Sequence, residues 1–206
     1  RSTYTVRQKS LTVFKISVVL VITAAALNIA YHQLVNHLTE QNVIPVYILR
    51  DCYYIMLMTV SVLFCLYIMD LVRIRRRSKL LLEYAIWGGY AFCVICEVIT
   101  PVTRRGFYID PDLGIHQNYY TDIFRVCYIY FGLLLAGILV MNRRKFIAKM
   151  FQCMYSTMIM SVFLMVLQAQ YRSTSYTCVS YVLPIMSVLF LFHHNSYDIR
   201  TGTLDS

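Results

Sequence analysis

Charge is what this sequence has least of. Asp, Glu, Lys and Arg make up 14% of its 206 residues, against roughly 25% in an ordinary soluble domain. So little charge cannot cover the surface of a soluble domain this long, which excludes the water-soluble classes. Acid is scarcer than base, with 10 Asp and Glu against 19 Lys and Arg. The resulting +9 would suit a nucleic-acid binder. The basic residues flank apolar spans, however, where they anchor helix ends and meet anionic headgroups, so no nucleic acid is expected as a partner. The short motifs of soluble catalysis are missing too: GxGxxG, the P-loop, GxSxG and HExxH. The sequence shows no signal peptide, no low-complexity segment and no convincing internal repeat.

The five His (32, 37, 116, 193 and 194) do not pair at metal spacing on one helix. Cysteine is present, but its seven residues (52, 65, 93, 96, 127, 153 and 178) are odd in number and mostly lie inside apolar spans. No disulfide framework or zinc spacing emerges from them. Cys93 and Cys96 form a CxxC whose side chains share one helix face, and the pair is expected to act as small apolar filler. No catalytic residue, metal or cofactor is expected.

What the chain does have is apolar residue, 59% of the total. A helix needs about 20 such residues to cross the hydrocarbon core. Six stretches qualify, at about 16–35, 49–72, 80–100, 122–141, 150–171 and 178–194, the last short and carrying Pro184. The fold expected is an all-α membrane bundle of six transmembrane helices. Fourteen Lys and Arg fall in four patches at alternate ends of these spans: Arg1 to Lys15, RIRRRSK at 73–79, Arg143 to Lys149, and Arg200. The other five (Arg50, Arg104, Arg105, Arg125 and Arg172) fall at the opposite ends. Basic loops stay cytoplasmic during insertion, so both ends of the chain are expected inside the cell, with the bundle in the inner membrane. Asp70 and Glu83 flank RIRRRSK and are expected to pair with it.

The outer loops differ. Asn36 to Ile48 is a short polar turn. GFYIDPDLGIHQ, 106–117, has the pattern of a small extracytoplasmic β-hairpin: Phe107 to Ile109 alternate at strand spacing, Asp110-Pro111-Asp112 and Gly114 supply turn chemistry, and Ile115 to Gln117 return. Two strands alone are marginal in water. The hairpin must rest on the helix ends or the headgroups, with Phe107, Tyr108, Tyr119 and Tyr120 suited to the membrane interface. Gly88-Gly89 interrupts the third span and is expected to serve helix packing.

Ionisable groups at membrane depth are costly and usually face a bundle interior. Glu97 lies near the outer end of the third span, and Asp122 and Arg125 lie one turn apart at the start of the fourth. Asn28 and Gln168 reach similar levels. Either Glu97 and Arg125 form a structural ion pair while the amides bond between helices, or these five residues line an outward-facing pocket that binds a ligand.

The segment 100–146, TPVTRRGFYIDPDLGIHQNYYTDIFRVCYIYFGLLLAGILVMNRRKF, resembles the membrane sensor modules of bacterial signalling proteins. In those modules a helix ends at an Asn/Thr-Pro step, a hairpin with an FYID-like strand follows, and a long helix returns to a basic turn. VLQAQY, 166–171, resembles the Gln-bearing stretch of the next helix. The tail YDIRTGTLDS, 197–206, is similar to the opening of a GGDEF domain, usually D-x-L-T-G-L-x-N-R, with Asp198, Thr201, Gly202 and Leu204 carrying the likeness. Ile199-Arg200 and Asp205-Ser206 depart from it, as in divergent GGDEF domains joined to an EAL phosphodiesterase domain. The resemblance implies a sensor domain over 1–196 and the start of a cytoplasmic output domain over 197–206, within a longer protein. It implies a membrane or small-molecule signal relayed through His194, Tyr197 and Asp198 to an enzyme of cyclic di-GMP, and a homodimer formed through that output domain. The sensor region of a histidine kinase has a similar helical plan, and a small-solute transporter is the reading from another class.

Overall fold

The computed structural model describes residues 2–72, 74, 76–104, 106–117, 123–143, 148–170 and 176–194. Helix α1 runs over Ser2–Asn36 and α2 over Val43–Val72. Helix α3 covers Arg76–Val98, the single turn α4 Thr100–Thr103, α5 Ile123–Met141, α6 Ala148–Gln170 and α7 Thr177–His194. Strands β1 (Phe107–Ile109) and β2 (Ile115–Gln117) form an antiparallel pair with Phe107 opposite Gln117.

Two helices start earlier than the apolar runs that predict them. Helix α1 begins at Ser2 rather than near 16, because nothing between Ser2 and Lys15 is Gly or Pro and the helix has no reason to stop. Helix α2 begins at Val43 rather than 49, with Pro45 in its first turn, where a missing N–H is tolerated. Pro101 opens α4 and Pro111 sits in the hairpin turn, so Pro184 alone of the four prolines lies within a helix.

Five helices among the described residues are long and apolar enough to cross a membrane: Thr12–Asn36, Glu40–Asp70, Arg77–Val98, Ile123–Met141 and Phe151–Gln168. The expected sixth span coincides with α7, whose apolar stretch Thr177–Ser187 is shorter than the other five. Large apolar side chains cover the outside, Ile22 on α1, Leu81 and Phe92 on α3, and Leu133 on α5 among them. Apolar surface on that scale is what a lipid-facing bundle presents.

Helix α2 is the axis. It packs against α1, α3, α5 and α7, while the contacts α1–α7, α7–α6, α6–α5 and α5–α3 carry the other helices most of the way round it. Its own sequence is apolar on every side, as a helix surrounded by others requires. One cluster gathers Val62, Cys65, Ile68 and Met69 of α2 with Ile86, Phe131, Leu135, Ile138 and Met154. A second gathers Tyr53, Leu57 and Met58 with Val21, Ala24, Phe124, Tyr181 and Ile185. At the end of the bundle away from the hairpin, Lys79 contacts Asp70 at 2.5 Å and Glu83 at 3.8 Å, as the flanking acids predict. These groups are exposed, and such pairs contribute only about 0–1 kcal/mol.

The two adjacent glycines have different jobs. A Cβ on Gly89 would collide with the Tyr130 ring of α5, whereas one on Gly88 would meet nothing within 4 Å. Tyr130 uses that gap to donate a hydrogen bond of 2.8 Å to the Ala85 carbonyl. We therefore expect Gly89→Leu to destabilise the bundle by about 1–3 kcal/mol through overpacking, and Gly88→Leu to leave it unchanged. Thermal unfolding of the detergent-solubilised chain reads the difference, and equal midpoints for the two variants would refute this packing role.

Candidate functional site

The most concentrated polar chemistry lies at the hairpin end. Arg50 sits two turns into α2 and Glu97 in the last turn of α3, and both are buried, at 2% and 0% side-chain exposure. Arg50 donates from Nη1 to Glu97 Oε1 at 2.5 Å, and its Nη1 lies 3.4 Å from Asp51 Oδ1. The guanidinium carbon lies 4.7 Å from the centre of the Tyr54 ring and 4.8 Å from that of Phe107. Desolvated cation–π contacts of this kind are worth about 2 kcal/mol. The cation is thus held by an acid in its plane and by two aromatic rings.

Phe107 brings the hairpin into this layer. Its side chain is fully buried, edge-on to Tyr31 of α1 and Tyr47 of α2. The Tyr47 hydroxyl also accepts a 2.8 Å hydrogen bond from the Ile109 N–H. The expectation that the hairpin needs outside support is met by helix ends. Phe107 itself serves the bundle, which corrects its assignment to the membrane interface: the Arg50 guanidinium offers a ring face better company than headgroups do. Tyr108, on the other side of β1, stacks on His116, whose Nε2 is 2.6 Å from Asp110 Oδ2. The turn differs from its sequence pattern in one detail. The left-handed corner falls on Leu113 (φ 61°), beside the Leu113 N–H to Asp110 carbonyl bond of 2.9 Å, rather than on Gly114.

Below this layer Cys93 of α3 is joined to Cys127 of α5 by a disulfide. This overturns the reading of Cys93 as apolar filler with no bridge: the partner is 34 residues away on another helix, a relation that spacing within CxxC cannot reveal. Cys93 and Glu97 are four apart on one helix face, so the bridge and the ion pair fasten the same stretch of α3. An aromatic series continues inward, from Tyr54 to Phe124 (centroids 4.4 Å), Phe124 to Tyr181 (6.3 Å) and Tyr181 to Tyr128 (5.4 Å).

The residues proposed from sequence are dispersed among several contacts. Glu97 meets Arg50, which the sequence reading left among the outer cations without a role. Arg125 is half-buried in the first turn of α5, and Asn28 is half-buried on α1. Gln168 Oε1 accepts a 2.7 Å hydrogen bond from Thr177, tying α6 to α7. His194 ends α7. Asp122, Tyr197, Asp198, Tyr119 and Tyr120 lie outside the described residues. Arg50 carried a readable signal: it is a cation inside an apolar run, at the depth of an acid in the next span. Among the described residues no group of three His, Cys, Asp or Glu is placed to hold a metal. No protein-family model matches the chain, and no curated protein or solved structure matches it.

Removing one partner of a buried ion pair strands the other. Arg50→Met and Glu97→Gln should each cost about 3–5 kcal/mol, while Arg50→Met combined with Glu97→Met should recover most of that loss. Unfolding midpoints of the three variants test the coupling, and simple additivity would count against it. For the bridge, alkylation of the unreduced, denatured chain should modify five cysteines (52, 65, 96, 153 and 178) and leave Cys93 and Cys127 unmodified until a reductant is added. Modification of all seven without reductant would exclude the disulfide.

Proposed function

We propose that this chain is the membrane-embedded input module of a bacterial signalling protein, relaying an extracytoplasmic or membrane-borne stimulus to a cytoplasmic output domain of the GGDEF or GGDEF/EAL type. In this reading six helices cross the inner membrane, both ends of the chain face the cytoplasm, and the hairpin faces outward. The observation that carries it is the seat of Phe107 on the Arg50–Glu97 pair. A loop element outside the apolar layer is thereby joined to the central helix, and the aromatic series leads on from there to Tyr181 of α7. Helix α7 runs directly towards the tail that resembles the start of a GGDEF domain. A stimulus that shifts the hairpin would favour one of two helix arrangements, and α7 would carry the difference to the output domain. Dimerisation through that domain follows from the same resemblance. Continuity of packing is only an associational warrant for coupling, so the reading stands or falls on a functional experiment.

That experiment places Phe107→Ala and, separately, Glu97→Gln in the full-length parent and measures cellular cyclic di-GMP. The expected change is on the order of fivefold or more, the lower end of ordinary coupling energies. Unaltered levels from correctly inserted variants, or from a chimera with unrelated spans in place of this region, would reduce the region to an anchor. Cysteine labelling from outside intact cells supplies the topology arm: residue 114 should be reachable and residue 76 protected.

A further inference from the structure

A second site lies deeper, where α2, α5, α6 and α7 leave a cavity of about 80 Å³ between them. A water needs about 10–15 Å³ by this measure, so there is room for roughly six atoms of that size. Close-packed interiors leave few voids larger than one water, so this space calls for an occupant.

Its lining has two ends. At one end are the hydroxyls of Ser61, Tyr128, Ser161, Ser180 and Tyr181. Ser61 donates to Tyr181 Oη at 3.1 Å, and the Tyr128 hydroxyl is hydrogen-bonded with Ser161 and Ser180. Ser161 and Ser180 give their own protons to backbone carbonyls at 2.8 and 2.7 Å. Each hydroxyl oxygen has two acceptor sites, so the group retains acceptor capacity. Pro184 adds to this, because it has no N–H to give the Ser180 carbonyl one turn back. At the other end are Leu135, Met158 and Ile185.

Chain direction separates the two ends. On α5 and α7 the apolar residues follow the polar ones. On α6, where Met154 packs in one core cluster and Met165 in the other, the order reverses, as it must in a helix running the opposite way. No residue that lines the cavity is charged.

From this polarity we infer that the cavity binds a small uncharged amphiphile, with one oxygen-bearing head at the Tyr128–Tyr181 end and a short alkyl tail against Leu135 and Met158. The absence of a countercharge in the lining excludes ions and zwitterions, which would pay desolvation without return. The same chemistry could come from a diffusible alcohol or ketone or from the ester end of a lipid acyl chain. Gly132 lies in the wall, and a Cβ there would meet nothing within 4 Å. A larger side chain at this position therefore has the cavity to grow into without a clash. Any effect on signalling rests on the sensory reading above; the binding does not.

The test uses the full chain in phospholipid nanodiscs and, in parallel, in lipid-free detergent micelles, with a diazirine-bearing hexanol as photolabel and mass-spectrometric mapping of the adducts. Label should fall on cavity residues of α5, α6 and α7. Excess 1-hexanol should compete for it, and hexane and hexanoate should not. Gly132→Phe, or Gly132→Leu should the larger residue fail to fold, should cut the label by about tenfold with the unfolding midpoint retained. Tyr128→Phe with Tyr181→Phe should reduce the preference for hexanol over hexane by roughly tenfold, the scale of one or two hydrogen bonds. Weaker labelling in nanodiscs than in micelles identifies a lipid acyl chain as the natural occupant, and equal labelling identifies a diffusible one. Label that neither 1-hexanol nor the Gly132 variants diminish overturns the site. Loss of binding with unchanged output from the full-length parent would sink the sensory role and leave the site standing. An unlabelled cavity in a parent that still responds to Phe107→Ala would do the reverse.

Discussion

A guanidinium and a carboxylate, both out of contact with solvent, set the geometry of the hairpin end. Each ion costs several kcal/mol to bury, and the cost is recovered only when the two meet closely. Arg50 and Glu97 can meet only if α2 and α3 stand in one vertical register, so the pair fixes that register. The rings of Tyr54 and Phe107 complete the surroundings of the cation, and Phe107 carries the hairpin with it. Cys93, one turn from Glu97, then secures α3 to α5. Three helices and a loop are thus positioned by a handful of contacts within a few turns of one another.

The remainder of the bundle shows why such contacts are needed. Apolar side chains lie on the outside of these helices as well as on the inside. Where the surround is as apolar as the core, burial does not choose one face over another, and helix association depends on close packing and polar contacts. The bonds that tie the helices together have that character: Gln168 with Thr177, Tyr130 with the Ala85 carbonyl through the gap at Gly89, Ser61 with Tyr181, and Thr59 with Tyr90 at 2.9 Å. Helix α2 supplies a partner to several of these because it stands in the middle.

The two polar regions differ in chemistry. The layer at Arg50 is charged, fully packed and joined to the hairpin. The cavity beside Tyr128 and Tyr181 is uncharged and has space to spare. The aromatic series from Tyr54 through Phe124 runs between them, so a change at either reaches the other through rings in contact. That arrangement suits a module that integrates a signal arriving from outside with one arriving from the lipid.

Local patterns were readable without coordinates. The alternation of Phe107 to Ile109 and the Asp110-Pro111-Asp112 turn specified the hairpin, because strand pairing across a five-residue loop is decided by neighbours in sequence. The flanking acids of RIRRRSK, the interhelical use of Gln168 and the packing role of Gly89 were legible for a similar reason: each follows from the type of residue and its place within a span. Five long apolar helices followed from run length alone, and the shortness of α7 was visible in its residues.

What the sequence could not supply was partnership. Arg50 with Glu97, Cys93 with Cys127, and Phe107 with Arg50 link residues dozens of positions apart, and several cations and cysteines offered equivalent candidates by depth. Helix ends also moved, since the absence of Gly and Pro before residue 16 let α1 run on past its apolar core. Composition and periodicity by themselves determined that the chain would form apolar helices with a small hairpin at one end. Only the tertiary structure decided which helix stands at the centre, which charges neutralise each other and where a cavity is left, because those outcomes depend on rotations about helix axes that near-uniform apolar surfaces do not encode.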